Sequence, residues 1–67
     1  MIEVEINGEA KRVTAVTSVA QLLDELGVHD WILFVDLNGE LLHRDDFADH
    51  PVADGDLLEL MRVAGGG

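Results

Sequence analysis

Two Asn-Gly dipeptides, Asn7-Gly8 and Asn38-Gly39, set the plan of this chain. A two-residue hairpin turn needs positive φ at both central positions, and Asn-Gly tolerates this best. Each dipeptide follows a strand-like run. Ile2, Val4 and Ile6 alternate with Glu3 and Glu5, the period of a half-buried strand, and Glu9 to Val13 supplies the return. Trp31 to Leu37 is an apolar run rich in β-formers, read as a central strand, with Glu40-Leu41-Leu42 as its short partner. The chain is thus expected to hold two hairpins.

Between them lies a helix signal. Ser18 with Gln21 three residues on fits a capping box, with Thr17 as the competing N-cap. Val19, Leu22, Leu23 and Leu26 then form one apolar stripe, and Gly27 is placed to end the helix. His43 to His50 is polar apart from Phe47 and Ala48 and is read as one irregular helical turn closed by Pro51. Asp54-Gly55-Asp56 marks a turn before a last strand, Leu57 to Val63. A helix between the first hairpin and the remaining strands suits a crossover, which places the last strand in mid-sheet, parallel to the first. The expected fold is α+β: a mixed sheet with one main helix packed across it. Residues 1–63 form the domain, and 64–67 a flexible C-terminal diglycine tail.

Sixty-seven residues allow one domain, and a core this small is marginal without a staple. The chain has no cysteine, hence no disulfide, thiolate nucleophile or cysteine metal site. Its 48% hydrophobic content must supply the core. The formal charge of −10, against only Lys11, Arg12, Arg44 and Arg62, argues against nucleic acid, whose phosphates need clustered cations. It disfavours anionic membranes for the same reason. The N-terminus carries neither a positive segment nor an apolar signal core. A cytoplasmic location follows as the expectation.

Catalytic groups are sparse. The hydroxyls are Thr14, Thr17 and Ser18, two of them better used at the helix start. His43, Asp45, Asp46, Asp49 and His50 lack a metal-ligand spacing. Asp36-Leu37-Asn38-Gly39 lacks the ligand series of a calcium loop, so the hairpin reading prevails. No phosphate-cradling glycine loop precedes a helix. The chain reads as a non-enzyme. What remains is the tail. Glycines without Cβ can enter a narrow channel and bring a terminal carboxylate to a remote active site. Such a carboxylate reacts only once activated, typically as an acyl-adenylate. Without cysteine, any sulfur the chain carries must sit on Gly67.

These residues resemble a known family, the small β-grasp (ubiquitin-like) sulfur carriers of thiamine (thiazole) biosynthesis, over essentially the whole chain. The resemblance rests on the hairpin with Asn7-Gly8, Thr17-Ser18-Val19 leading into Leu22-Leu23, and Leu37-Asn38-Gly39-Glu40. It continues through Arg44 before Phe47-Ala48, Asp54-Gly55-Asp56, and Val63-Ala64-Gly65-Gly66-Gly67 at the end. It implies that an adenylating enzyme akin to ubiquitin-activating enzymes uses ATP and magnesium to adenylate Gly67. Sulfur from a cysteine desulfurase then yields a thiocarboxylate, which thiazole synthase consumes. The carrier would be a protein co-substrate, binding no cofactor tightly. Gly66 and Gly67 match the family's diglycine, and Gly65 with Gly66 would thread the partner's channel.

Two features depart from the family pattern. His43 stands where proline often precedes the arginine, and Ile32 and Phe34 are bulkier than the small residues common on that strand. If Leu33, Val35 and Leu37 face the helix, Ile32 and Phe34 share the opposite face with Leu57, Glu59, Met61 and Val63. An exposed apolar patch centred on Phe34 and Met61 is expected there, docking the activating enzyme and the synthase. The alternative is that these residues simply cover the second face of a small sheet. Rival functions are carriage of sulfur for molybdopterin or cysteine, and a non-catalytic ubiquitin-like interaction module with an inert tail.

Overall fold

The structure, a computed structural model, describes residues 1–15 and 18–62. Strands β1 (Ile2–Ile6) and β2 (Glu9–Val13) precede helix α1 (Val19–Leu26) and a 3-10 turn over His29–Trp31. Strands β3 (Ile32–Leu37) and β4 (Glu40–His43), a 3-10 segment Arg44–Asp49 and strand β5 (Leu57–Arg62) complete the order. The five strands make one sheet in the order β2-β1-β5-β3-β4. β5 runs parallel to β1 and antiparallel to β3. The last strand therefore occupies the middle of the sheet, as its place after the helix implied.

Both hairpins turn on their Asn-Gly pairs. Asn7 and Gly8 have φ of 51° and 85°, and Asn38 and Gly39 of 52° and 92°, the positive values of a type I′ turn. Each asparagine also fastens β5. Asn7 donates its N–H to the Leu58 carbonyl (2.9 Å), and its Oδ1 accepts from Leu60 N–H (2.8 Å). On the other side Asn38 donates its N–H to the Leu57 carbonyl (2.8 Å), and its Oδ1 accepts from Leu57 N–H (2.9 Å). Asn38 Nδ2 reaches Asp56 Oδ1 at 3.0 Å. The two side chains thus continue the ladder past the point where β1 and β3 end. The turn before β5 is tied in the same way: Glu3 N–H donates to Asp54 Oδ1 and the Glu3 carbonyl accepts from Gly55 N–H, both at 2.7 Å.

Helix α1 begins where the sequence placed it. Ser18 Oγ accepts from Gln21 N–H at 3.2 Å, while Val19 N–H donates to the His50 carbonyl at 2.9 Å. Two of the helix's orphan donors are thereby satisfied. Thr17, the other candidate cap, lies outside the described residues. Gly27, at φ 75°, ends the helix. Its N–H reaches the Asp24 carbonyl and Val28 N–H the Leu23 carbonyl, the paired bonds of a Schellman cap. Val19, Leu22 and Leu23 are buried against the sheet, each leucine contributing about 1.5–3 kcal/mol. The approach to the helix is tied by Glu25, whose carboxylate accepts from both the N–H and the hydroxyl of Thr14.

Strand β3 departs from simple alternation. Val35 and Leu37 face the helix, but Ile32 is also buried, at 3% exposure, contrary to its expected outward place. The pairing runs Phe34↔Met61 and then Ile32↔Arg62, a bulge with one extra residue on β3. A bulge resets the two-residue period, so Ile32 turns into the core and Leu33 is only half-buried. Trp31 precedes the strand, in the 3-10 turn, its N–H donating to the Val28 carbonyl. Arg44 holds this junction. Its guanidinium donates to the carbonyls of Ile32, Asp30 and His29 at 3.1–3.4 Å. Among the described residues it makes no ion pair.

Three predictions follow from this architecture. Asn38→Ala should lower stability by about 1–3 kcal/mol in denaturant unfolding, since it strands the Leu57 N–H. Asn38→Gly keeps the turn and should recover only part of that loss. The Thr14 hydroxyl and then its N–H hold the Glu25 carboxyl below its usual range. The stability it contributes is present above its unfolded value and lost as pH falls through the lower folded value; Thr14→Val should reduce that acid dependence, leaving the share that the retained N–H supplies. His50 is shifted the other way. Its Nδ1–H donates to the Asp46 carbonyl at 3.0 Å, the main cause, aided by the charges of Glu40, Asp46 and Asp49 and opposed by desolvation. Its contribution is complete below the unfolded value of about 6.5 and disappears as pH rises through the higher folded value; His50→Gln should flatten the stability profile there.

Candidate functional site

The sheet has two faces, and the helix covers one. Because side chains alternate along each strand, the cross-strand registers define the other. β3 and β5 bring Phe34 beside Met61 and Asp36 beside Glu59. β3 and β4 bring His43 beside Phe34 and Leu41 beside Asp36. β1 and β5 place Glu5 beside Leu57. The open face therefore carries a row Met61–Phe34–His43 across three strands. Below it lies a row Glu59–Asp36–Leu41, and Leu57 stands further along β5.

Of the residues expected in an outward apolar patch, Phe34, Leu57, Glu59 and Met61 are brought together on this face. Leu57 is 53% and Met61 37% exposed, and Phe34 is half-buried. Ile32 is not part of it, having turned inward at the bulge. Val63, Gly65, Gly66 and Gly67 lie outside the described residues, which end at Arg62, the last residue of β5.

Two residues that composition did not single out join the patch. Leu41 is 59% exposed beside Asp36. His43 sets its ring edge-on to Phe34, centroids 5.3 Å apart at 71°, a favoured aromatic geometry. The signal was present: a two-residue turn at Asn38-Gly39 pairs Leu37 with Glu40, and counting back puts Leu41 and His43 opposite Asp36 and Phe34. His43 also caps the 3-10 segment, its Nδ1 accepting from Asp45 N–H at 3.2 Å while Asp46 Oδ2 accepts from His43 N–H at 3.4 Å. The ring is thus held in place from two sides. Phe34 and His43, both departures from the family pattern, are cross-strand neighbours.

The electrostatics of the face are one-sided. Glu5, Asp36 and Glu59 line a shallow depression with Leu57 and Asn38. Asp36 and Glu59 stand directly opposite, a like-charge pairing that weakens a sheet. Asp36 Oδ1 accepts from Gly39 N–H at 2.7 Å, which turns it toward the hairpin. Among the described residues no three histidine or acidic side chains converge as metal ligands. No helix among them is long and apolar enough to cross a membrane.

Comparison with known proteins agrees with this geometry. The ThiS family model matches residues 4–67. A crystal structure of the thiamine biosynthesis protein ThiS from Geobacter metallireducens superposes with a TM-score of 0.77 at 36% identity, covering 98% of this chain and all of that one. A solution structure of a thiamine biosynthesis protein from the same organism gives 0.73 at 36% identity, covering 98% of this chain and 88% of that one. A curated relative, a thiazole synthase of Paramagnetospirillum magneticum, is 40% identical over 62 residues, 92% of this chain. The chain spans only about a fifth, 19%, of that relative's length. With a β-grasp sheet, a single crossing helix and a family match running through its final glycine, the chain belongs to the ThiS family.

Proposed function

We propose that this chain is a ThiS-type sulfur carrier whose working group is the Gly67 carboxylate. The observation that supports it best is the family match through Gly67, joined to a fold whose central strand ends at Arg62, shortly before that residue in sequence. An adenylating enzyme supplies ATP and magnesium, and the carboxylate attacks the α-phosphorus with release of pyrophosphate. The terminal sulfur of a persulfide, drawn from a cysteine desulfurase, then displaces AMP. A thiol cleaves the resulting S–S bond and leaves the thiocarboxylate. The chain is a protein co-substrate and not a catalyst, and the reaction belongs in the cytoplasm, where ATP is supplied.

The acceptor we favour is thiazole synthase, in keeping with the similarity of this chain to part of a thiazole synthase. Gly65 and Gly66, lacking Cβ, suit a narrow channel leading to a partner's active site. Docking falls to the open face of the sheet, with Phe34, Leu57, Glu59 and Met61 at its centre; Val63, expected there as well, follows β5 in sequence.

The test is intact mass after incubation with the adenylating enzyme, ATP-magnesium, cysteine desulfurase and cysteine. The expected result is a gain equal to one oxygen exchanged for sulfur, absent after deletion of Gly67. No gain, in a mixture that modifies a control carrier, would favour a ubiquitin-like interaction module with an inert tail.

A further inference from the structure

We infer that the Arg44–Asp49 segment is a pH-sensitive clasp, closed by two histidines whose Nδ1 atoms hold opposite proton states. One proton on His43 opens its first turn, while the end at His50 stays shut.

Three observations carry it. First, backbone chemistry fixes the proton at each ring. At the near end His43 Nδ1 lies 3.2 Å from Asp45 N–H, a group that can only donate, so this nitrogen must be bare. At the far end His50 Nδ1 lies 3.0 Å from the Asp46 carbonyl. A carbonyl can only accept, so that nitrogen must carry a hydrogen. Second, Asp46 links the two ends. Its Oδ2 accepts from His43 N–H at 3.4 Å and completes a reciprocal cap, while its carbonyl holds His50. Proline at position 43 could supply neither half of that cap. Third, a second acceptor waits for a charged His43. Asp45 Oδ2 stands 3.4 Å from the same Nδ1, so protonation moves the bond from the Asp45 amide to the Asp45 carboxylate. His50 responds the other way. Its Nε2 lies 3.7 Å from Glu40 on β4, and an added proton tightens the far end.

The groups around the two rings do not override them. His43 faces the neutral ring of Phe34 on β3, with Asp36 and Glu59 one row away. Arg44 directs its guanidinium to the carbonyls of His29, Asp30 and Ile32. Besides Glu40, His50 has Asp46 and Asp49 of its own segment near it. The first turn of α1, which its carbonyl meets at Val19 N–H, holds no charged residue. The opening is also confined. Phe47 is buried in the core at mid-segment, and the His50 carbonyl keeps its bond to the helix. Acid therefore frees the turn beside β4 and leaves the seat against α1 intact.

The experiment uses the full chain alone, so its outcome is independent of the carrier reading. Long-range nitrogen–proton NMR spectra read the proton on each ring nitrogen. Amide exchange of Asp45, divided by its intrinsic rate, reads the cap. Between pH about 8 and about 5, the range in which histidine titrates, Asp45 protection should fall in step with His43. The loss of one cap corresponds to about three- to tenfold in protection. The Val19 amide should keep its protection throughout. His43→Asn retains an acceptor for Asp45 N–H but takes no proton, and should hold Asp45 protection constant. His43→Ser gives the same check should the asparagine variant fail to fold. His50→Gln should leave the Asp45 response in place. A hydrogen on His43 Nδ1 at neutral pH would overturn the inference. So would Asp45 protection that ignores the His43 titration, an Asp45 amide unprotected at every pH, or an equal loss in His43→Asn.

Discussion

The sheet is joined through β5, and β5 is gripped from both sides by the same chemical device. Asn7 and Asn38 occupy the first position of their turns because they tolerate positive φ, and from there each presents a side-chain carbonyl to a β5 amide. One residue type thus reverses a hairpin and fastens that hairpin to the central strand. Remove β5 and what remains is two separate hairpins with a helix across them. An isolated hairpin is marginal in water, so the cooperativity of this small domain resides in the strand between them.

The central placement of β5 also sets how the molecule can work. A strand bonded on both sides is a fixed stem, and the segment following it is anchored to the most constrained part of the fold. The helix occupies one face of the sheet and leaves the other open across β3, β4 and β5. The end of β5 at Arg62 and the open face therefore belong to one sheet.

Much of this could be read from residues alone. The Asn-Gly turns, the Ser18 and Gly27 helix boundaries and the parallel crossover all rest on local backbone rules, and local rules are visible in sequence. Ile32 was misplaced because a bulge between it and Phe34 shifts the inside-outside alternation by one, and no residue there advertises the extra position. The role of Arg44 was equally hidden. It satisfies carbonyls at the end of a 3-10 turn more than ten residues away, a partnership only the folded chain creates. His43 as a cap is unusual, since serine, threonine, aspartate and asparagine dominate such positions. By contrast, the outward places of Leu41 and His43 were implied by the turn length, and a register count would have found them.

The topology has a consequence for synthesis. Glu5 and Leu57, paired in the sheet, are far apart along the chain, and a parallel contact of that range forms late. Either hairpin can be sampled as soon as it is made, but neither is joined to the other until β5 threads between them. A ribosome-bound chain that has not yet exposed the segment through Arg62 has no complete sheet to offer. Compactness then depends on translation reaching Arg62: a product truncated before β5 lacks the strand that joins the two hairpins and stays open to proteolysis.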